Sequence, residues 1–238
     1  MTEHIKRFAA NTAGRDFVVG DIHGCFTALH EALTQIEFDD ERDRLFSVGD
    51  LVDRGPASEL ALEWLDKPWF HAVRGNHEEM AIGFYKGEVR ADTYLANGGA
   101  WFVGKTKNEQ FPFADAFDAL PYAIEVETDK GLVGIVHADC PFVSWQDIGP
   151  ALACENAEAF KQMLVWSRDR YESGETRPVQ GVVAVFVGHT PIKEAMSLGN
   201  VFYIDTGAAF KQYGVLTLVD LATLELDSHD ATDTVVPA

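Results

Sequence analysis

The sequence predicts an α/β fold with parallel strand pairing, and three observations carry that expectation. Three apolar runs in succession, Asp16-Phe17-Val18-Val19, Leu45-Phe46-Ser47-Val48 and Trp69-Phe70-His71-Ala72-Val73, have the length and composition of buried strands. Each closes on a turn that sets glycine beside acid, amide or imidazole groups. Each turn is followed by apolar residues at helical spacing, and strands that alternate with helices pack as parallel sheets.

Taken in order, the first unit follows a polar leader. Its strand ends in Gly20-Asp21-Ile22-His23-Gly24, and Phe26, Leu29, Leu33 and Ile36 then mark one face of a helix. The second strand ends in Gly49-Asp50-Leu51-Val52-Asp53-Arg54-Gly55, and a helix through Leu60, Leu62, Trp64 and Leu65 follows Pro56. The third ends in Arg74-Gly75-Asn76-His77-Glu78 and leads into a helix through Met80, Ile82 and Phe84. Residues 87–121 carry weaker signals, a turn at Asn97-Gly98-Gly99 and a short helix over Phe111 to Leu120. Two strands, Tyr122 to Glu127 and Leu132 to Val136, then flank a turn at Asp129-Lys130-Gly131, and the second delivers His137-Ala138-Asp139. A helix over Ala157 to Val165 precedes Trp166-Ser167-Arg168-Asp169-Arg170. The strand Val182 to Val187 stops at Gly188-His189-Thr190. Strands at Val201 to Ile204, Val215 to Val219 and Thr223 to Leu226 finish the sheet, with a frayed acidic tail beyond.

Length and composition bound the class. At 238 residues, 47% hydrophobic and 24% charged, the chain can bury one full core, so a single domain over 1–238 is expected, its core about 15–227. No apolar run reaches the length of a bilayer span, and the first residues resemble no signal peptide, so a soluble, cytoplasmic protein is expected. The formal charge of −19 argues against nucleic-acid and membrane partners, because both surfaces are themselves anionic. Three cysteines without C-x-x-C spacing support neither a disulfide framework nor a thiolate metal site. Walker, serine-hydrolase and dinucleotide-loop patterns are absent from the sequence.

The strand ends together offer Asp21, His23, Asp50, Asn76, His137 and His189. Carboxylate, amide and imidazole donors without thiolate suit a divalent ion of intermediate hardness, with manganese first and iron or zinc as alternatives. Six donors are too many for one tetrahedral ion, so two divalent metal ions are expected, with Asp50 as the candidate bridge. Ions so paired lie ~3.5–4 Å apart and clamp the oxygens of a displacement at phosphorus. Two divalent charges outweigh Asp21, Asp50 and a hydroxide, which leaves the centre attractive to phosphate. Arg54 can fork onto phosphate oxygens. His77 is placed to protonate a leaving oxygen, with Asp53 holding its ring. The aromatic residues Trp166 and Trp69-Phe70 are expected in the core.

The motifs G-D-I-H-G, G-D-L-V-D-R-G, R-G-N-H-E, H-A-D and G-H-T, in this order, resemble the signature of the metal-dependent phosphoprotein phosphatases among the calcineurin-like metallophosphoesterases. Pro68-Trp69-Phe70, Asn97-Gly98-Gly99-Ala100-Trp101-Phe102 and Trp166-Ser167-Arg168 extend the likeness to the bacterial and phage branch typified by bacteriophage lambda protein phosphatase. The resemblance implies a βαβαβ-based central β-sandwich flanked by helices. It implies Asp21, His23 and Asp50 on one metal and Asp50, Asn76, His137 and His189 on the other. It further implies phosphate binding by Arg54 and Arg168, and His77 as general acid on Asp53. Arg170, two residues on, is chemically equivalent to Arg168, and only the W-x-R alignment separates them. Eukaryotic members have glycine near Ala138-Asp139, so no regulatory subunit is inferred.

The implied activity is hydrolysis of phosphate monoesters on proteins or peptides, at phosphoserine and phosphothreonine and also at phosphotyrosine, by hydroxide held at the two-metal centre. The alternatives are a diadenosine polyphosphate hydrolase or broad small-molecule phosphoesterase, and a non-catalytic metal-binding module. Enzymes resembling symmetrical dinucleoside tetraphosphatases typically carry alanine where Asp53 stands and aspartate where Glu78 stands, which favours the phosphoprotein reading.

Overall fold

The computed structural model describes residues 4–210, 214–224 and 226–230. Its strands are β1 (Ile5–Phe8), β2 (Asp16–Val19), β3 (Arg44–Ser47), β4 (Phe70–Ala72), β5 (Ala123–Thr128), β6 (Gly131–Val136), β7 (Ala184–Val187), β8 (Met196–Leu198), β9 (Val201–Tyr203), β10 (Val215–Asp220) and β11 (Leu226–Asp230). The helices are α1 (Phe26–Gln35), α2 (Ala61–Leu65), α3 (Asn76–Lys86), α4 (Ala91–Ala96), α5 (Ala100–Val103), α6 (Lys107–Asp118), α7 (Ile148–Ala153), α8 (Ala157–Trp166) and α9 (Asp169–Ser173). The strands form two sheets, ordered β11-β10-β2-β3-β4 and β1-β5-β6-β7-β9-β8. In the first, β2, β3 and β4 are parallel, as the three strand-helix units predict.

Side-chain alternation explains why the sheets stack and why helices cover them. On β2, Phe17 and Val19 face the helices while Val18 faces the other sheet. On β7, Val185 and Val187 face outward to α7 and α8 while Ala184 and Phe186 face inward. Between the sheets, Val18, Phe46, Val48 and Val73 meet Ile124, Val133, Ile135 and Phe186. The α1 to α6 helices bury Leu29, Trp64, Met80, Tyr94, Phe102 and Phe117 on the outer face of the five-stranded sheet. The result is an α/β sandwich of two sheets with helices on both faces, as the resemblance implies.

Register sets the site. Val19 pairs with Ser47 and Ser47 with Ala72, so the turns that leave β2, β3 and β4 emerge at one edge of the sheet. Gly188 N donates to His137 O at 2.7 Å, which aligns the exits of β6 and β7 in the same way. In open α/β sheets this carboxyl edge is where ligands bind.

Several expectations are corrected. The polar leader holds β1, which adds parallel to β5, with Arg7 Nε 2.7 Å from Glu125 Oε2. Thr223 lies in a turn, and the residues expected as a frayed tail include β11, paired antiparallel with β10; residues 231–238 lie outside the described residues. The helix expected from Phe111 begins at Lys107, behind a capping box in which Thr106 N and Oγ1 donate to Glu109 Oε2 at 2.8 and 2.7 Å. Trp166 is not core: it is 38% exposed, its ring edge-on to His189 at 5.9 Å. Cys25 and Cys140 are buried and Cys154 exposed, all unpaired. Among the described residues no helix is long and apolar enough to cross a membrane.

Candidate active site

Asp21 and His23 follow β2, Asp50 follows β3, Asn76 opens α3 behind β4, and His137 and His189 follow β6 and β7. All six are buried, none more than 6% exposed. Their turns are sharply bent. Of the seven non-glycine residues with positive φ among the described residues, His23, Asp50, Asp53, Arg54 and His189 are five. Such backbone costs ~1–3 kcal/mol per residue and persists where a side chain must be aimed. Gly188 is required by proximity, because a Cβ there would collide with Asp21 Oδ1. His189 N donates to both Asp21 oxygens, at 3.2 and 3.1 Å, and thereby joins the two sheets.

Asp50 is central. Its Oδ2 lies 3.5 Å from His23 Nε2 and 3.8 Å from His77 Nε2, and its Oδ1 lies 3.3 Å from His137 Nε2. Two groups able to hold an ion share it, His23-Asp50-His77 and Asp21-Asp50-His137. Asp21 thus groups with His137 as well as lying 3.9 Å from His23.

The histidine tautomers are set by backbone carbonyls. His23 Nδ1 is 2.8 Å from Val52 O, His137 Nδ1 is 2.7 Å from Val48 O, and His189 Nε2 is 3.1 Å from Trp166 O. Donation to those carbonyls leaves His137 Nε2 and His189 Nδ1 as lone pairs, and these lie 2.9 and 2.8 Å from Asn76 Oδ1. Three acceptors therefore converge with no proton among them, an arrangement that fits a cation. The lone pair of His23 Nε2 already faces one, the Arg54 guanidinium. Carbonyl-anchored imidazoles are the usual support of metal-binding histidine.

Electrostatics agree. Burial, with Asp205 and Asp50 nearby, pushes Asp21 well above the usual carboxylate range. Burial also lowers His23 and His137 and takes His189 down to about 3, so these rings stay in the neutral form that binds metal. Burial acts to raise Asp50 too; against it work the His77 backbone N–H and whatever positive charge the facing His137, His77 and His23 take up, so a proton entering this site is shared between the rings and the carboxylates, and Asp50 is the acid drawn down. Buried carboxylates short of positive charge beside neutral imidazoles are the donor set a divalent ion completes.

His77 is fully buried, with Nδ1 2.7 Å from Asp53 Oδ2 and Nε2 without a hydrogen-bond partner. Arg54 is exposed at the rim. The two candidate phosphate arginines differ. Arg170 is tied down, Nε 3.4 Å from Asp139 Oδ1 and Nη1 donating to Glu175 O and Arg177 O at 3.0 and 2.9 Å. Arg168 is exposed, and among the described residues its side chain makes one hydrogen bond, from Nη2 to His189 O at 3.2 Å.

Sequence reasoning used Glu78 only to separate the phosphoprotein from the dinucleotide reading and gave Asp205 no role; neither was seen as part of this framework. Glu78 is fully buried and accepts the N–H groups of Asp50, Leu51 and Gly75 at 2.9, 2.8 and 2.8 Å, so it clamps two strand-end turns together. Burial and Asp50 push it up to about 8. The G-x-x-E spacing at a helix start was its signal. Asp205, pushed up by burial to about 6, accepts Gly207 N at 3.0 Å and ends β9 as the other acids end their strands.

This arrangement is that of a metallophosphoesterase. The calcineurin-like phosphoesterase profile matches residues 17–215, and the chain belongs to that family. It is a hydrolase acting on phosphoesters, and its family works with a dinuclear metal centre. Over 219 residues it is 37% identical to serine/threonine-protein phosphatase 1 of Salmonella typhimurium, covering 91% of this chain and 96% of that protein. Over 199 residues it is 37% identical to serine/threonine-protein phosphatase 2 of Escherichia coli, covering 81% and 87%. The crystal structure of a candidate diadenosine tetraphosphatase superposes with a TM-score of 0.66 at 20% identity, over 95% of this chain and 97% of that one, which speaks for the fold alone.

Proposed function

We propose that the protein is a serine/threonine phosphoprotein phosphatase that hydrolyses phosphate monoesters on proteins or peptides. Asp21, His23 and Asp50 would hold one divalent ion, and Asp50, Asn76, His137 and His189 a second, with manganese as the metal. Bound there, the two ions would supply positive charge for the phosphate and acidify the attacking water.

The residues of the chain do the rest. Arg54 and Arg168, both exposed beside the site, bind and orient the phosphate oxygens. His77 gives the proton from Nε2 to the departing serine or threonine oxygen as the P–O bond breaks, and Asp53 keeps its ring turned the right way. Burial of His77 and Asp53 excludes water from that proton.

The carrying observation is the buried Asp53–His77 pair with a free Nε2 beside Asp50. A serine alkoxide leaves only with a proton, whereas a nucleoside polyphosphate leaves as a stable anion and gains little from an oriented imidazole. The likeness to the two bacterial serine/threonine-protein phosphatases supports the same reading. The test compares kcat/KM with manganese on a phosphoserine peptide and on diadenosine tetraphosphate. The peptide is expected to be preferred, and Asp53→Ala to narrow the gap by slowing the peptide reaction. Preference for the dinucleotide, with both rates unmoved by Asp53→Ala, would replace this reading with dinucleotide hydrolysis.

A further inference from the structure

Asp53 is fully buried, and three donors surround its carboxylate. Oδ2 faces His77 Nδ1 at 2.7 Å, while Oδ1 accepts the Tyr94 hydroxyl at 3.0 Å and Trp101 Nε1 at 2.6 Å. Neither aromatic residue belongs to a strand end. Tyr94 comes from α4 and Trp101 from α5, inside the stretch whose role the sequence left unread.

That stretch is fitted to the turn it covers. Gly98, at φ +97°, lies so close to Arg54 that a Cβ would come within 2.6 Å of its backbone nitrogen, and Arg54 N donates to Gly98 O at 3.4 Å. A Cβ on Gly99 would strike the Tyr94 ring. Asn97-Gly98-Gly99 is therefore more than a turn: its two glycines let α4 and α5 close over Asp53 and Arg54. Phe102 and Phe84 pack on Tyr94 at ring-centroid distances of 6.0 and 5.6 Å, and Phe102 and Phe113 pack on Trp101 at 5.1 Å each.

Both groups can only donate here. An indole N–H has no acceptor capacity, and burial beside Asp53 pushes the Tyr94 hydroxyl well up, so it keeps its proton. Asp53 itself sits on left-handed backbone, φ 71°, next to an arginine, and without donors on Oδ1 its carboxylate would be held through Oδ2 alone.

We propose that Tyr94 and Trp101 are positioning residues: by holding Asp53 Oδ1 they direct Oδ2 onto His77 Nδ1 and so present His77 Nε2 to the leaving oxygen. The kinetic consequence rests on the reading of His77 as proton donor; the structural one does not. Anchoring a carboxylate in this way makes the enzyme's advantage depend on the leaving group. Esters of poor leaving groups such as serine gain most.

Tyr94→Phe and Trp101→Phe remove the donors and keep the rings. Each is expected to cost about tenfold on a phosphoserine peptide and far less on an aryl phosphate with an acidic phenol. His77→Asn is expected to cost about 10²–10⁴ on the peptide. In a His77→Asn background the Phe substitutions are expected to add nothing, whereas a general loss of folding would persist there. Independently, nitrogen-15 NMR of the zinc-loaded, diamagnetic protein should show His77 with a hydrogen-bonded Nδ1 proton, and the Tyr94→Phe/Trp101→Phe double variant should lose or shift that resonance. An unchanged resonance in the double variant, with unchanged peptide turnover, would overturn the proposal. Were His77→Asn to cost both substrates equally, the proton-donor reading would fall, and the resonance alone would decide for or against the anchor.

Discussion

The five-stranded sheet brings the site its candidate carboxylate ligands, Asp21 and Asp50, together with Asp53 and Arg54, whereas β6 and β7 of the six-stranded sheet bring imidazoles, His137 and His189. The backbone differs in the same sense. At the site, four left-handed residues, His23, Asp50, Asp53 and Arg54, shape the turns of the first sheet, against His189 in the second. The candidate ligand carboxylates and the Asp53–His77 pair therefore reside on one sheet, while the other side carries Asp205 and Arg168. The other adds ligands that burial keeps neutral, with His189 taken down to about 3. Such a division explains why Asp50, reached by histidines of both sheets, is where the two halves meet.

The largest effect should come from removing what both halves are built to hold. Chelation is expected to abolish phosphatase turnover and manganese to restore it, since a bound metal makes water a potent nucleophile at neutral pH by lowering its pKa. Full activity after exhaustive dialysis against chelator would separate the acid and imidazole clusters from catalysis altogether.

A smaller effect distinguishes the arginines on the six-stranded side. Arg168→Ala is expected to lower turnover about tenfold or more by removing charge-assisted contacts to phosphate, with little change in melting temperature. Arg170→Ala should do the reverse, because its guanidinium holds Asp139 and two carbonyls. Kinetics and thermal melts of the two variants give the answer, and the opposite pattern would exchange their roles.

The strand ends were legible because each repeats one local pattern, apolar strand then glycine then ligand, and all of them share an edge only through register. Arg168 and Arg170 were not separable, because their difference lies in tertiary partners. The segment 87–121 resisted reading for a physical reason. The α4 and α5 helices are six and four residues long, too short to show a period, and α6 carries Pro112 inside and Phe111 on its exposed side. The Thr106-x-x-Glu109 capping box was the available signal for α6. Nothing local marked Tyr94 as a partner of Asp53, 41 residues away. Trp166 was misplaced because aromatic content alone does not tell a core ring from one beside a site.

The smallest effect concerns His71 on β4, which contrasts with His23, His77 and His137 in having no acid partner among the described residues. Burial, with Lys6 and Arg44 nearby, takes it down to about 4, and its ring lies 4.4 Å from that of Phe8. An unfolded histidine titrates near ~6.5, so below that pH the unfolded chain binds more protons than the folded one. The contribution of His71 to stability is then present above about 6.5 and lost as pH falls toward about 4. Melting temperatures of His71→Gln should be flatter than wild type across that window. Parallel curves would show that the ring is protonated at no cost.

Both proposed ion positions depend on Asp50 as their shared ligand. Metal content measured by inductively coupled plasma mass spectrometry after equilibrium dialysis, on wild type and Asp50→Asn, tests it directly. The wild type is expected to hold two divalent ions per chain and the variant to lose tight binding at both positions, with turnover down by about 10³ or more. A variant that kept two tightly bound ions and near-normal turnover would contradict the shared-ligand assignment.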